Sequence, residues 1–92
     1  VVDSSSIRRD PASALRRLCD AIGIAFTPAM LSWPQGPKPF DGVWASHWYD
    51  GVHRSEGFAG AEGPLPVLSG QALSLCRDAL PIYDAMLARA LT

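Results

Sequence analysis

One stretch of the sequence signals both ends of a helix: DPASALRRLCDAIG, residues 10–23. Asp10 is a typical N-cap residue, Pro11 suits the first helical position, and Gly23 suits the position just past the last turn. Four apolar residues recur at i, i+3, i+4 and i+7, which places them on one face: Leu15, Leu18, Cys19 and Ile22. The pattern predicts an amphipathic helix with one buried face.

Weaker signals flank this helix on both sides. Val1 and Val2 are predicted to end a buried strand, and the polar residues 3–6 are predicted to form a turn. Farther on, Thr27 and Pro28 repeat the signal of a cap followed by proline, which predicts a short helix over about residues 28–32. Three later prolines are expected to end it: Pro34, Pro37 and Pro39.

The segment from Trp33 to Phe58 holds all three tryptophans and both histidines. Ser46 is the expected cap of a short helix over residues 47–54, with one buried side formed by Trp44, Trp48 and Val52. The tryptophans are expected to anchor the core rather than to stack on a flat ligand such as adenine. Glycines at positions 57, 60 and 63 follow, in a loop that is predicted to be mobile.

A long helix is predicted at the C-terminal end. Ser69 is its expected N-cap, and its apolar stripe advances in steps of three and four: Leu73, Cys76, Leu80, Tyr83, Leu87 and Ala90. Pro81 lies inside the stripe, so a kink at Leu80 or a break into two helices is expected. Cys19 and Cys76 each fall on an apolar helix face and are predicted to be reduced, buried thiols of a cytoplasmic protein.

The length and net charge of the chain limit the classes of function that it can have. The 92 residues suffice for one small domain, 1–92, or for a piece of a larger α/β domain. A net charge of −1 gives no basic footprint for nucleic acid, and no apolar run approaches the roughly 20 residues that span a bilayer. The start on an apolar pair without methionine suggests a fragment. The predicted fold class is mainly α, a small helical domain or fragment with one short N-terminal strand.

The sequence contains no complete catalytic set. It has no glycine-rich phosphate loop, no dinucleotide fingerprint and no nucleophile elbow. His47, Asp50 and His53 lie three residues apart and would fan across about 120° of a helix, whereas a zinc pair prefers i and i+4. Surface or loop histidines are therefore expected, and no metal.

Two short polar groups are candidates for binding a ligand. Arg54 and Ser55 stand just before Gly57, and an arginine, a hydroxyl and a glycine can hold a phosphate through charge-assisted bonds and free N–H groups. The same residues also suit an ordinary helix end. Ser4 and Ser5 follow the predicted strand, where open α/β sheets place their ligands. The residues alone leave the phosphate site and the helix end both open.

Several motifs resemble sulfotransferases. Ile7, Asp10-Pro11 and Ile22-Gly23 are similar to a pattern in which a strand ending in Tyr-Glu-Asp-Leu leads to Asp-Pro and then to a helix ending in Leu-Gly. Later motifs resemble the C-terminal half of bacterial sulfotransferase-like proteins of the P-loop type: Trp33-Pro34, Trp44-Ala45, His47-Trp48-Tyr49 and Pro81-Ile82-Tyr83. The resemblance covers nearly the whole chain and implies the C-terminal portion of an α/β fold.

The resemblance implies transfer of a sulfuryl group from 3′-phosphoadenosine 5′-phosphosulfate (PAPS) to a hydroxyl or amine. It implies a nucleotide or small-molecule acceptor as partner and cofactor contacts at Ser4, Ser5, Arg54 and Ser55. Serines stand where the family has Tyr-Glu-Asp, so the aromatic that contacts adenine is missing at Ser4. The family's phosphosulfate loop and catalytic histidine would lie before Val1, so the chain is not expected to be catalytically complete alone.

The alternative is a free-standing helical module without enzymatic activity. Its tryptophans and the stripe from Leu73 to Ala90 would then form an interface with a partner or with a second copy in a homodimer. A third hypothesis is a residual reading frame that folds but retains no activity. A glycine-rich loop encoded upstream would favour the enzyme, and its absence would favour the module.

Overall fold

The computed structural model describes residues 1–92, and helical residues make up 52% of them. The elements follow one another as α1 (Ser4–Arg9), α2 (Pro11–Ile22), a 3₁₀ turn (Pro28–Leu31), α3 (Ala45–Trp48), α4 (Asp50–His53) and α5 (Gly70–Leu87). No strand forms, and the β structure is limited to one isolated antiparallel bridge between Ser32 and Gly57. The mainly α class is confirmed.

Helix α2 forms where its end signals predicted. Asp10 Oδ1 accepts the N–H of Ser13 at 3.1 Å, and Gly23 adopts a left-handed φ of 75° while its N–H bonds the last carbonyls of the helix. Only Ala14 and Cys19, both on α2, are buried, with 5% and 3% of their surfaces exposed. Because α2 packs against α1 and the 3₁₀ turn, the small core of the chain lies along this helix.

The N-terminal expectation of a strand followed by a turn is wrong. Residues 3–6 instead begin helix α1, because the Asp3 carboxylate accepts both the backbone N–H and the hydroxyl of Ser6, at 3.0 and 3.1 Å. Val1 and Val2 have no neighbouring strand with which to pair. The carbonyl of Val1 instead accepts the N–H of Leu91 at 3.0 Å, which ties the two ends of the chain together.

The single helix expected over residues 47–54 is two short helices, α3 and α4, separated at Tyr49. Tyr49 has φ −97° and ψ 8°, outside helical geometry, and ends α3. Trp44 and Trp48 were expected on a buried side together with Val52, but they are 66% and 74% exposed, and Val52 is exposed as well. Trp33 is half-buried, so it is the tryptophan that contributes most to packing.

Helix α5 continues through Pro81 as one element, so it does not break into two helices, and the kink at Leu80 stays a prediction. Ser69 occupies the N-cap position as predicted, although its side chain makes no capping bond. The helix packs against none of the other helices, and Cys76, expected to be buried, is exposed. No helix in the structure is both long enough and apolar enough to span a membrane.

The chain is open rather than closely packed. Its radius of gyration is 16.5 Å, whereas a compact chain of this length would have about 12 Å. Large apolar side chains are exposed along α5 and around α3, among them Phe40, Val43, Leu75 and Ile82. Hydrogen bonds therefore carry much of the tertiary structure outside α2.

Replacing Gly57 by alanine should destabilise the fold. A Cβ there would lie 3.1 Å from the carbonyl oxygen of Leu31, a backbone atom held next to the Ser32–Gly57 bridge. We expect Gly57→Ala to lower the free energy of unfolding by about 1–2 kcal/mol, measured by urea denaturation followed by circular dichroism. Gly51→Ala is the matched control, because a Cβ there meets nothing within 4 Å and alanine favours helix α4. Equal stability of the two variants would contradict the expectation.

Candidate functional site

Two segments that are distant in sequence, residues 32–36 and 53–57, lie side by side and form what we call the clasp. The N–H of Trp33 donates to the carbonyl of Glu56 at 3.0 Å, and the N–H of Gly36 donates to the carbonyl of His53 at 2.8 Å. Between them, Gln35 Nε2 donates to the carbonyl of Arg54 at 3.0 Å. The segment that carries Arg54 and Ser55 is therefore held by neighbouring chain at several consecutive positions.

Ser55 is part of the clasp itself. The indole Nε1–H of Trp33 donates to Ser55 Oγ at 2.8 Å, and the Ser55 hydroxyl donates its own proton to the carbonyl of Val52 at 2.6 Å. A hydroxyl has a single proton to donate, so this one has none left for a phosphate oxygen. The Trp33 ring also meets the Phe58 ring edge-on, with centroids 5.4 Å apart, which packs the far end of the clasp.

His53 forms a side-chain hydrogen bond with Asp41, which we call the latch. His53 Nε2 lies 2.8 Å from Asp41 Oδ2, and the side chains are only 20% and 15% exposed. The N–H of Lys38 also donates to Asp41 Oδ2, at 2.8 Å. This bond from Lys38, followed by the bond and charge of His53, holds the pKa of the Asp41 carboxyl below its ordinary 3.8. The carboxylate is therefore ionised, and His53 Nε2 carries the donated proton.

The guanidinium of Arg54 points to solvent. The side chain is 73% exposed, and Nη1 pairs with Asp50 Oδ2 one helical turn earlier. An exposed pair of this kind contributes roughly 0–1 kcal/mol, so an incoming anion can replace it at low cost. Of the four residues predicted to touch a cofactor, Arg54 has the clearest capacity to bind an anion.

Ser4 and Ser5 lie on α1, away from the clasp. Ser5 lines a cavity of about 520 Å³ with Arg9 and Tyr83, while Ser4 lines an adjoining one of about 200 Å³, also with Tyr83. None of residues 53–57 lines either cavity, so the structure does not gather the four predicted residues in one pocket.

One side chain of α1 reaches the glycine-rich loop between the clasp and α5. Arg8 Nε donates to the carbonyl of Gly60 at 2.9 Å, and its Nη1 pairs with Glu62 at 2.9 Å. The predicted mobility of this loop is not tested by these contacts. They show only that α1 and the loop are bonded to each other.

Sequence reasoning missed several residues that define these sites. Gln35 belongs to the clasp and Asp41 to the latch, but no local pattern connected them with Arg54. Arg9 and Tyr83 line the larger cavity beside Ser5; the sequence singled out Tyr83, in a motif and in the apolar stripe, but not Arg9. His47 lies apart from the latch and touches the Trp44 ring instead, with centroids 6.1 Å apart. The structure contains no group of three or more potential metal ligands.

A family described as a sulfotransferase domain matches residues 1–90. The chain belongs to this sulfotransferase-domain family. The match covers the whole of α1 to α5, so the clasp and both cavities are features of a member of the family. Membership favours the sulfotransferase interpretation over the free-standing module, while the homodimer and the cytoplasmic location stay predictions.

Two plant proteins are similar to this sulfotransferase-domain chain. Branched-chain-amino-acid aminotransferase-like protein 1 of Arabidopsis thaliana is 40% identical over 86 residues, and aminotransferase-like protein 2 of the same plant is 36% identical over 86 residues. Each match covers 94% of this chain but only 16% and 15% of the respective relative. The chain thus spans about one-sixth of the length of these relatives. No solved structure matches it.

Acid should weaken the latch. Because the folded state lowers the pKa of Asp41, the stability from this group is complete above pH 4 or so and is lost as pH falls through the lowered value. We expect the thermal midpoint of Asp41→Asn to depend less on pH below about 4 than that of the wild type, as measured by circular dichroism. Some dependence should persist, because the bond from Ser13 also lowers the pKa of Asp10.

Asp78→Asn is the control for this acid titration. Asp78 is exposed on α5 and forms none of the salt bridges, so its removal should leave the acid dependence unchanged. An Asp41→Asn profile that superimposes on the wild-type profile would show that the latch adds nothing to stability.

Proposed function

We propose that this chain is the C-terminal segment of a PAPS-dependent sulfotransferase, which transfers a sulfuryl group to a hydroxyl or amine acceptor. In this function PAPS is the sulfuryl donor, and the chain forms part of a larger catalytic domain. One observation carries it: a solvent-facing arginine stands on a backbone held by the clasp, in a chain of the sulfotransferase-domain family.

The residues present fit part of PAPS. The nucleotide carries a 3′-phosphate, and the Arg54 guanidinium offers several N–H donors of which one is paired with Asp50. Arginine binds phosphate in bidentate geometry, and such charge-assisted bonds are about twice as strong as neutral ones. Arg54 is thus the residue that we assign to the phosphate. Ser55 supports it by holding Trp33 in the clasp rather than by touching the ligand.

Ser4 and Ser5 each line a cavity beside α1 and away from the clasp, so they suit a different part of the ligand than Arg54 does. The larger cavity beside Ser5 also contains Arg9 and Tyr83, so it combines hydroxyls, a cation and an aromatic ring. We assign this wall to the adenosine or to the acceptor. Tyr83 provides an aromatic ring near the position where the family tyrosine is replaced by Ser4.

Catalysis in this reaction depends on positioning and on neutralising charge at the transferred group. Bound PAPS supplies the sulfuryl group itself. Arg54 would bind and orient the nucleotide, while the cavity of α1 and α5 would exclude water from one side of it. No residue of this chain is assigned to proton transfer, so the chain is proposed to be incomplete as a catalyst.

Calorimetric titration with adenosine 3′,5′-bisphosphate tests the assignment of Arg54. We expect saturable binding to the chain and a loss of roughly ten- to hundredfold in affinity in Arg54→Ala, because a charge-assisted phosphate contact is removed. Arg77→Ala is the matched control, since Arg77 is an exposed arginine on α5 outside both the clasp and the cavities. Equal losses in the two variants would assign the binding to net charge alone.

Removal of Asp50 should strengthen binding. Its carboxylate competes with the phosphate for Arg54, and the exposed pair is worth roughly 0.2–1 kcal/mol. We expect Asp50→Asn to bind adenosine 3′,5′-bisphosphate about two- to fivefold more tightly by the same titration. Glu62→Gln is the control, because it removes an acidic charge that pairs with Arg8 instead. Weaker binding by Asp50→Asn would mean that Arg54 is not the phosphate residue.

A further inference from the structure

The latch lies next to the proposed phosphate residue but has no part in the proposed contacts. His53 is the last residue of α4, and Arg54 follows it as the C-cap. The Asp41 side chain contacts His53 from the loop that follows residue 36. Both side chains are mostly shielded from water, although many of the surrounding residues are exposed. A hydrogen bond that is shielded in this way is stronger than one made in open water.

The loop between the clasp and Asp41 is braced from within. Lys38 Nζ donates to the carbonyls of Pro34 and Gly36, and its backbone N–H donates to Asp41. Two of these bonds bind the loop to itself and the third fixes the carboxylate. Lys38 therefore links Asp41 to residues 34 and 36, which lie in the clasp segment that bonds residues 53–56.

We propose that His53 is a positioning residue for Arg54, acting through the latch. The bond from His53 to Asp41 closes the clasp at the end where Gly36 meets the His53 carbonyl, and thereby fixes the backbone that carries the guanidinium. The effect of His53 on phosphate binding rests on the proposed function. Its effect on the clasp rests only on the hydrogen bonds of His53 and Gly36.

A positioning role differs from a general contribution to stability. The buried residues of the chain lie on α2, which has its own caps and makes no bond to the clasp. Opening the latch should therefore free the clasp locally and leave α2 protected. Two side chains contact His53: the Asp41 carboxylate, which also interacts with the charge of Lys38, and the Tyr49 ring, which is nearly perpendicular to the imidazole at a centroid distance of 6.0 Å.

Hydrogen exchange measured by NMR on the full chain tests the latch directly. In His53→Ala we expect roughly tenfold or faster exchange of the Gly36 amide and of the Trp33 indole N–H, with the amides of α2 unchanged. His53→Gln should restore most of the protection, because its side chain still offers an N–H to Asp41. His47→Ala is the matched control, since the other histidine makes no hydrogen bond to the clasp.

Each result decides the proposal. Faster exchange confined to the clasp in His53→Ala, with recovery in His53→Gln, supports it. Unchanged exchange in His53→Ala overturns it, and so does acceleration that is equal in the clasp and in α2, because the histidine would then act on stability alone.

A second measurement separates this proposal from the proposed function. If the wild type binds adenosine 3′,5′-bisphosphate, His53→Ala should bind it about tenfold more weakly and His53→Gln nearly as well as the wild type. Unaltered affinity in His53→Ala, despite an opened clasp, would overturn the positioning role. If the wild type does not bind the nucleotide, the nucleotide site is wrong, and the exchange data alone decide whether the latch holds the clasp.

Discussion

The backbone pairing between residues 32–36 and 53–57 is the constraint on which the middle of this structure depends. Outside α2 almost no side chain is fully buried, so the hydrophobic effect gives this region little definition. The clasp replaces it with directional bonds, in which Trp33, Gln35 and Gly36 satisfy the carbonyls of His53, Arg54 and Glu56. Because the bonds are spaced along both segments, the segments cannot slide without breaking several of them together.

This pairing also separates the roles of neighbouring residues. The Ser55 hydroxyl donates a hydrogen bond to the carbonyl of Val52 and accepts one from the Trp33 indole, so both of its bonds stabilise the fold. Arg54 has its carbonyl bound but its guanidinium free to face solvent, with Asp50 as a weakly held partner. A backbone held by hydrogen bonds beneath an exposed guanidinium can preorganise a binding residue without burying its charge. The two residues were equal candidates in the sequence, and only the long-range contacts distinguish them.

Contacts between residues that are close in sequence could be predicted, whereas contacts between residues far apart in sequence could not. The caps of α2 depend on Asp10, Ser13 and Gly23, all within one helix, and they form as expected. Helix α1 was missed because Val1 and Val2 suggested a strand, while the capping of Ser6 by Asp3 was overlooked. The clasp joins residues about 20 positions apart, and neither periodicity nor a motif carries information on such a pairing.

The periodicity of apolar residues shows which residues share a helix face, but not whether another element packs against that face. The same stripe pattern places Cys19 in the core on α2 and leaves Cys76 exposed on α5, since α2 has packing partners and α5 has no other helix against it. Pro81 lies inside this exposed helix, which continues as one element. The proline removes the bond to the carbonyl of Arg77, and in an exposed helix that carbonyl can bond water instead. The exposure of Cys76 thus follows from the absence of another helix packed on α5, and the same absence leaves the turn before Pro81 open to water.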